Sequence, residues 1–259
     1  MSALTITVEQ INAWVGLVLW PLFRVAGLLS ILPTIGGGEV PVRVRVALAF
    51  LITLLIVPSL PSMPLVDPLS ADSLLISFQQ MLIGVAMGLL VLLVFNAVTL
   101  AGESIAITMG LGFALMNDPQ NGAQVPTVSQ FYMIMATLLF LSFDGHHSVL
   151  LLLSASFTIL PVGQALGPES TWLLVSFGGV IFSGALSIAL PALAAMLTVN
   201  LIMGIITRAA PALNLFSIGF PITMTVGFLA ILLTLPTFQF SFEQLVRDAQ
   251  SNIAQVLGS

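Results

Sequence analysis

The sequence predicts an all-α, polytopic membrane protein, and three observations carry that expectation. Of 259 residues, 58% are hydrophobic and only 6% charged. A water-soluble domain covers its surface with roughly a quarter charged residues, so most of this chain must be covered by lipid or by other apolar protein. The hydrophobic residues also gather into six long stretches, against roughly 20 residues needed to cross the hydrocarbon core as a helix. Finally, no ten-residue run alternates apolar with polar positions, as a membrane β-barrel strand would.

The six stretches run from Ile11 to Ile35, Val44 to Leu60, Ser73 to Leu100, Thr127 to Leu160, Thr171 to Ile206 and Leu213 to Pro236. The fourth and fifth exceed one span, which predicts tilt, a break or extension beyond the bilayer. The N-terminus lacks a basic region and carries Glu9, so the first stretch is expected to be a retained helix rather than a cleaved signal. Connections are short. Gly36 to Pro41 precedes Arg43 and Arg45, and the Pro-rich PSLPSMPLVDP joins the second and third stretches. The longest irregular piece, Gly110 to Pro126, contains Asn-Asp-Pro and Asn-Gly turn formers. The tail, 240–259, mixes Phe242, Leu245, Val246, Ile253 and Val256 with polar residues. A weak amphipathic helix and a solvated tail are both compatible with that pattern. The whole, 1–259, is expected to form one membrane-embedded domain.

Several function classes fall away. Ten acids stand against five arginines, with no lysine and a net charge of −5, so a nucleic-acid footprint is absent. The lack of cysteine removes disulfides, thiolate metal sites and cysteine nucleophiles. No HExxH, GxSxG or Walker-type loop occurs; GGGEVPVR is glycine-rich but lacks the lysine and hydroxyl a phosphate cradle needs. Neither an enzyme nor a cofactor is expected. Arg43, Arg45 and Arg208 fall on one side of a six-span chain and Arg247 on the other. The positive-inside rule then puts both termini outside, in the periplasm of a Gram-negative cell.

Three polar features interrupt the apolar stretches. Arg24 lies inside WPLFRVAGLL, where an arginine at mid-membrane costs about 2.5–3.5 kcal/mol on insertion scales. It marks either a polar conduit with Glu103 or Asp144 as counter-charge, or a snorkelling or subunit-contact residue. Glu103, at the end of the third stretch, reads as a proton relay or as an interfacial acid. Asp144-Gly145-His146-His147 reads as a turn within the fourth stretch. Adjacent histidines diverge by about 100° on a helix, so a metal site is not expected there. Small residues recur at packing spacing: Gly84 and Gly88 form GxxxG, and Gly178, Gly179, Ser183 and Gly184 crowd the fifth stretch.

Several motifs together resemble one family. Arg208 through Pro221, RAAPALNLFSIGFP, is similar to the most recognisable stretch of the FliR family of flagellar type III export-apparatus membrane proteins, whose injectisome counterparts are the SctT proteins. FRVAGLLSILP with VPVRVRVALA, AGESIAITMGLGFALMNDP, and DGHHSVLLLLSASFTILPVG agree in order along the chain.

The resemblance implies a channel-forming subunit of the flagellar protein export gate, present as one copy with five FliP-type and four FliQ-type subunits. An FlhB-type protein associates, and unfolded flagellar proteins cross the inner membrane at the basal body. The six segments are then expected to be bent hairpins in a helical hetero-oligomer, partly in contact with lipid. In that family the loop after the third segment plugs the closed channel. Here it maps onto Gly110, Gly112, Phe113, Leu115, Met116, Asn117, Asp118, Pro119, Asn121 and Gly122. Arg208, Pro211, Asn214, Phe216, Gly219 and Pro221 are expected to form a hairpin that packs on neighbouring subunits. The competing expectation is a proton-coupled secondary transporter using Arg24, Glu103 and Asp144, which calls for inverted repeats and a midplane site.

Overall fold

A computed structural model describes residues 7–38, 40–60, 63–64, 66–68, 70–111, 127–209 and 219–258. Among them the chain is helical, with no strand. In order come α1 (Val8–Ile31), the single turn α2 (Pro33–Gly36), α3 (Val42–Ile56) and α4 (Ala71–Thr108), then α5 (Thr127–Ser142) and α6 (Gly145–Ile159). They are followed by α7 (Pro168–Phe177), α8 (Val180–Ala209) and α9 (Phe220–Gly258). Proline opens α2 and α7, where its fixed φ suits the first turn and its missing N–H costs nothing. Among the described residues five stretches of helix are long and apolar enough to cross a membrane, or six when the pair broken at Asp144 counts as one span.

The helices sharpen the hydropathy reading in four places, the interruption expected at Asp144 among them. The third segment begins at Ala71 and continues to Thr108, so Glu103 lies within a helix rather than at its end. The fourth breaks at Asp144, whose φ of 54° and ψ of 28° put it in the left-handed region. The fifth breaks at Gly178 and Gly179, between α7 and α8. The sixth and the tail form one 39-residue helix, α9. Toward its end Phe242, Leu245, Val246, Ala249, Ile253 and Val256 are buried while Gln244, Arg247, Ser251 and Gln255 are exposed. That is the repeat of an amphipathic helix. At 1.5 Å per residue, α4 and α9 are each nearly 60 Å long, about twice the hydrocarbon thickness of a bilayer.

Two compact units divide the chain. The first contains residues 1–92, 144–178 and 248–259, and the second 93–143 and 179–247. In the first, α1 runs alongside the start of α4 in the same direction. A Cβ at Gly84 would overlap the Arg24 carbonyl, and one at Gly88 would lie 3.0 Å from the Leu28 carbonyl. A Cβ at Gly27 would likewise overlap the Met81 carbonyl. The two backbones therefore touch, as small residues permit where lipid offers no hydrophobic drive to association. Trp20, Leu28, Leu29, Ile83, Leu90 and Phe157 fill this core.

In the second unit the end of α4 lies antiparallel to α5 and to α9. Phe95 of α4 meets Phe140 of α5 and Phe242 of α9 edge-on, both at 5.6 Å between ring centroids. Further along α4, a Cβ at Gly102 would lie 2.5 Å from Ser129 Cα on α5, and one at Gly227 of α9 would meet Met109. Gly184 of α8 brings that helix against Ala97 and Leu245. Many large apolar side chains point outward, among them Leu55 at 82% exposure on α3, Phe182 at 72% on α8 and Leu233 at 70% on α9.

Candidate functional site

Among the described residues Arg24 is the charged residue that is wholly buried, and it lies in the first unit. The glycine contact between α1 and α4 brings Gln80 within reach, and Arg24 Nε donates to its Oε1 at 2.8 Å. Nη1 donates to Ser156 Oγ and Nη2 to the Leu160 carbonyl, both at 2.9 Å. The guanidinium carbon lies 4.2 Å from the centre of the Phe157 ring. Ser156 passes the chain of bonds on, donating to the Leu153 carbonyl at 2.6 Å.

These partners are neutral, which corrects the expectation of Glu103 or Asp144 as counter-charge. The cation is held instead by dipoles. Leu160 follows the last residue of α6, where unsatisfied carbonyls concentrate the negative end of the helix dipole. The Phe157 face adds a cation–π attraction, which strengthens when water is absent. Arg24 neither snorkels nor reaches toward another subunit; it ties α1 to α4 and α6 within one unit. The indole N–H of Trp20, one turn before Arg24, and the amide nitrogen of Gln80 itself are buried without partners.

The second feature is the end of α4. Gly110 N–H donates to Ile107 O at 3.0 Å and Leu111 N–H to Ala106 O at 3.1 Å, while Gly110 has φ of +85°. This is a Schellman cap, whose left-handed position favours glycine. Gly110 thus terminates a helix. Beyond it, Leu111 lines a 490 Å³ cavity with Val128 and Phe131 of α5 and Met224, Phe228 and Ile231 of α9. The other residues assigned to the plug, Gly112, Phe113, Leu115, Met116, Asn117, Asp118, Pro119, Asn121 and Gly122, lie outside the described residues.

Asp144, in the same unit as Arg24, is not among its partners. Glu103 is half-buried on α4, and Asp144 is exposed at the N-cap of α6. His146 is half-buried with Nδ1 unpartnered, and His147 is exposed. Among the described residues no three His, Cys, Asp or Glu side chains gather as metal ligands do. Arg208 is exposed in the last turn of α8, where a cation complements the helix dipole. Gly219 is buried just before α9 and Pro221 is exposed in its first turn, while Pro211, Asn214 and Phe216 lie outside the described residues. Sequence reading missed Gln80, Ser156, Met109 and Gly227. The Gln79-Gln80 pair amid apolar residues was the available signal for the first; the others have none that is local.

Comparison with known proteins gives consistent matches. The family model for bacterial export proteins, family 1, matches residues 15–249. The chain is similar to the flagellar biosynthetic protein FliR of Escherichia coli strain K12, at 38% identity over 255 residues, 98% of this chain and 97% of that protein. It is 39% identical over 250 residues to the protein of that name from Pectobacterium carotovorum subsp. carotovorum, covering 96% and 95%. With that from Aquifex aeolicus strain VF5 it shares 30% over 230 residues, covering 87% and 88%.

Proposed function

The chain belongs to the bacterial export protein family 1, and from that membership we propose that it is a channel-forming subunit of the flagellar type III protein export gate. The observation that carries this reading is the near full-length match to flagellar biosynthetic proteins. The gate stands in the inner membrane at the flagellar basal body, with both termini in the periplasm. One copy assembles with five FliP-type and four FliQ-type subunits, an FlhB-type protein associates, and unfolded flagellar proteins are the cargo.

The physical character of the chain suits assembly. Helices about twice as long as a bilayer is thick, and the apolar faces of α3, α8 and α9, need cover that lipid alone supplies over only part of their length. A gate subunit performs no chemistry, and the polar residues here hold helices together. Arg24, bound to neutral oxygens, lacks the acid partner that a proton-coupled transporter would use.

Residues 110–126 act as the plug in this reading. They leave α4 at Gly110 and enter α5 at Thr127. Phe113, Leu115 and Met116 provide apolar side chains able to seal a narrow pore, methionine by adapting its shape.

Purifying the tagged chain from its native membrane tests the reading. Copurification of FliP-type and FliQ-type proteins in excess over the chain is expected. Recovery as a monodisperse monomer with substrate-dependent proton uptake would overturn it. Deleting Gly110 to Gly122 should make the assembled gate leak small ions; unchanged membrane conductance would count against the plug.

A further inference from the structure

We propose that Gly227 is a positioning residue for the closed gate: the socket it leaves on α9 seats Met109, and so fixes the point at which the chain departs from α4. The proposal rests on the plug reading above, but its residues, Met109, Gly227 and Thr223, are not part of that segment.

Three observations carry it. A Cβ built on Gly227 would lie 2.5 Å from Met109 Cγ, 2.7 Å from Cε and 2.8 Å from Sδ. The Met109 side chain from Cγ outward therefore occupies the space where any other residue would carry its first carbon. Because Cγ is near the backbone, rotating the tip of the methionine does not relieve that overlap. Second, Met109 is wholly buried, and Thr223, one turn before Gly227 on the same face of α9, places Oγ1 3.4 Å from the Met109 carbonyl, its one proton shared between that oxygen and the Phe220 carbonyl at 3.0 Å. Side chain and backbone of one residue are thus both held by α9. Third, the Schellman turn at Gly110 follows at once, and the next residue, Leu111, borders the 490 Å³ cavity instead of packed core. Met109 is thus seated on α9 immediately before the turn that ends α4, so the socket sets where the following segment starts.

The test is a double-mutant cycle in cells carrying the whole export apparatus. Gly227→Ala and Met109→Ala are made singly and together, with Gly204→Ala as a control at a glycine whose Cβ would meet nothing within 4 Å. Chain abundance in the membrane and small-ion leak through the assembled gate are read out. We expect a severalfold rise in leak for each single variant at wild-type abundance. The double variant should leak less than the product of the two effects, as coupled residues do, and Gly204→Ala should not leak.

Met109→Ala present at wild-type abundance without leak overturns the proposal, as do strictly multiplicative effects. Should Gly227→Ala fail to accumulate, the Met109→Ala arm decides alone. Deletion of Gly110 to Gly122 separates the two readings. If the deletion leaks and Met109→Ala does not, the plug stands and the socket falls. If the deletion itself is tight, the plug reading fails and this proposal with it.

Discussion

Gln80 on α4 accepts a hydrogen bond from Arg24 on α1 at 2.8 Å, in a place where neither residue touches water. The bond depends on backbone contact between the two helices, which Gly84 makes by having no Cβ to set against the Arg24 carbonyl. One arginine then spans three helices, because its planar fork reaches Gln80, Ser156 and the end of α6 at once. A charge that is costly in a membrane becomes a brace when each of its donors meets a fixed oxygen.

Replacing Arg24 should destabilise the first unit more than any surface change. Arg24→Ala strands the acceptors on Gln80, Ser156 and Leu160, at about 1–3 kcal/mol for each one left unsatisfied. Arg24→Lys should be intermediate, since a compact ammonium cannot satisfy a fork-shaped set of acceptors. Thermal unfolding of the detergent-solubilised protein checks this order; a Lys variant as stable as wild type would contradict it.

Glycine substitutions along α4 should rank by the room at each site. Gly84→Ala drives a methyl into the Arg24 carbonyl and should be the worst. Gly88→Ala, with 3.0 Å to the Leu28 carbonyl, should be milder. Gly204→Ala on α8 meets nothing and should be neutral or stabilising by up to about 1 kcal/mol, since alanine is the better helix former. Membrane abundance and melting temperature of the three variants give the ranking.

Phe95 is the hub of the second unit, edge-on to Phe140 and Phe242. Phe95→Ala should cost about 3–5 kcal/mol through lost contact and the cavity left behind. Phe95→Leu should cost distinctly less. Protease resistance of the membrane-inserted chain, followed with temperature, reports both.

Asp144 separates the export reading from a proton-coupled transporter. Its left-handed backbone tolerates asparagine or glycine, whereas Asp144→Val should lose about 1–2 kcal/mol through steric conflict at that φ. Secretion of flagellar proteins should persist in Asp144→Asn. Abolished export with normal assembly in that variant would point to a protonating carboxylate.

Much of the architecture was legible because it depends on local pattern. Apolar runs longer than 20 residues, scarce charge and the Gly84/Gly88 pair already implied membrane helices in close contact. The ordered motifs from FRVAGLLSILP to RAAPALNLFSIGFP implied the family, which the full-length matches bear out. Segment ends were less legible. Hydropathy falls after Leu100, yet α4 continues to Thr108 because Ile105, Ala106 and Met109 are buried in the second unit, and the helix is capped at Gly110 and not at Gly102, which packs against Ser129.

By itself the sequence determined the class of this protein, its family and the presence of an arginine within an apolar segment, whose charge had to find compensation or reach water. Only the tertiary structure decided what compensates it. The three acceptors of Arg24 lie 56, 132 and 136 residues away along the chain. Acids at similar expected depth looked the natural partners, but a guanidinium bonds to the oxygens that packing brings within 3 Å, and packing sets helix ends and neutral side chains there. The socket at Gly227 has the same origin. A glycine in an apolar helix signals that something comes close, and only the fold shows that it is Met109.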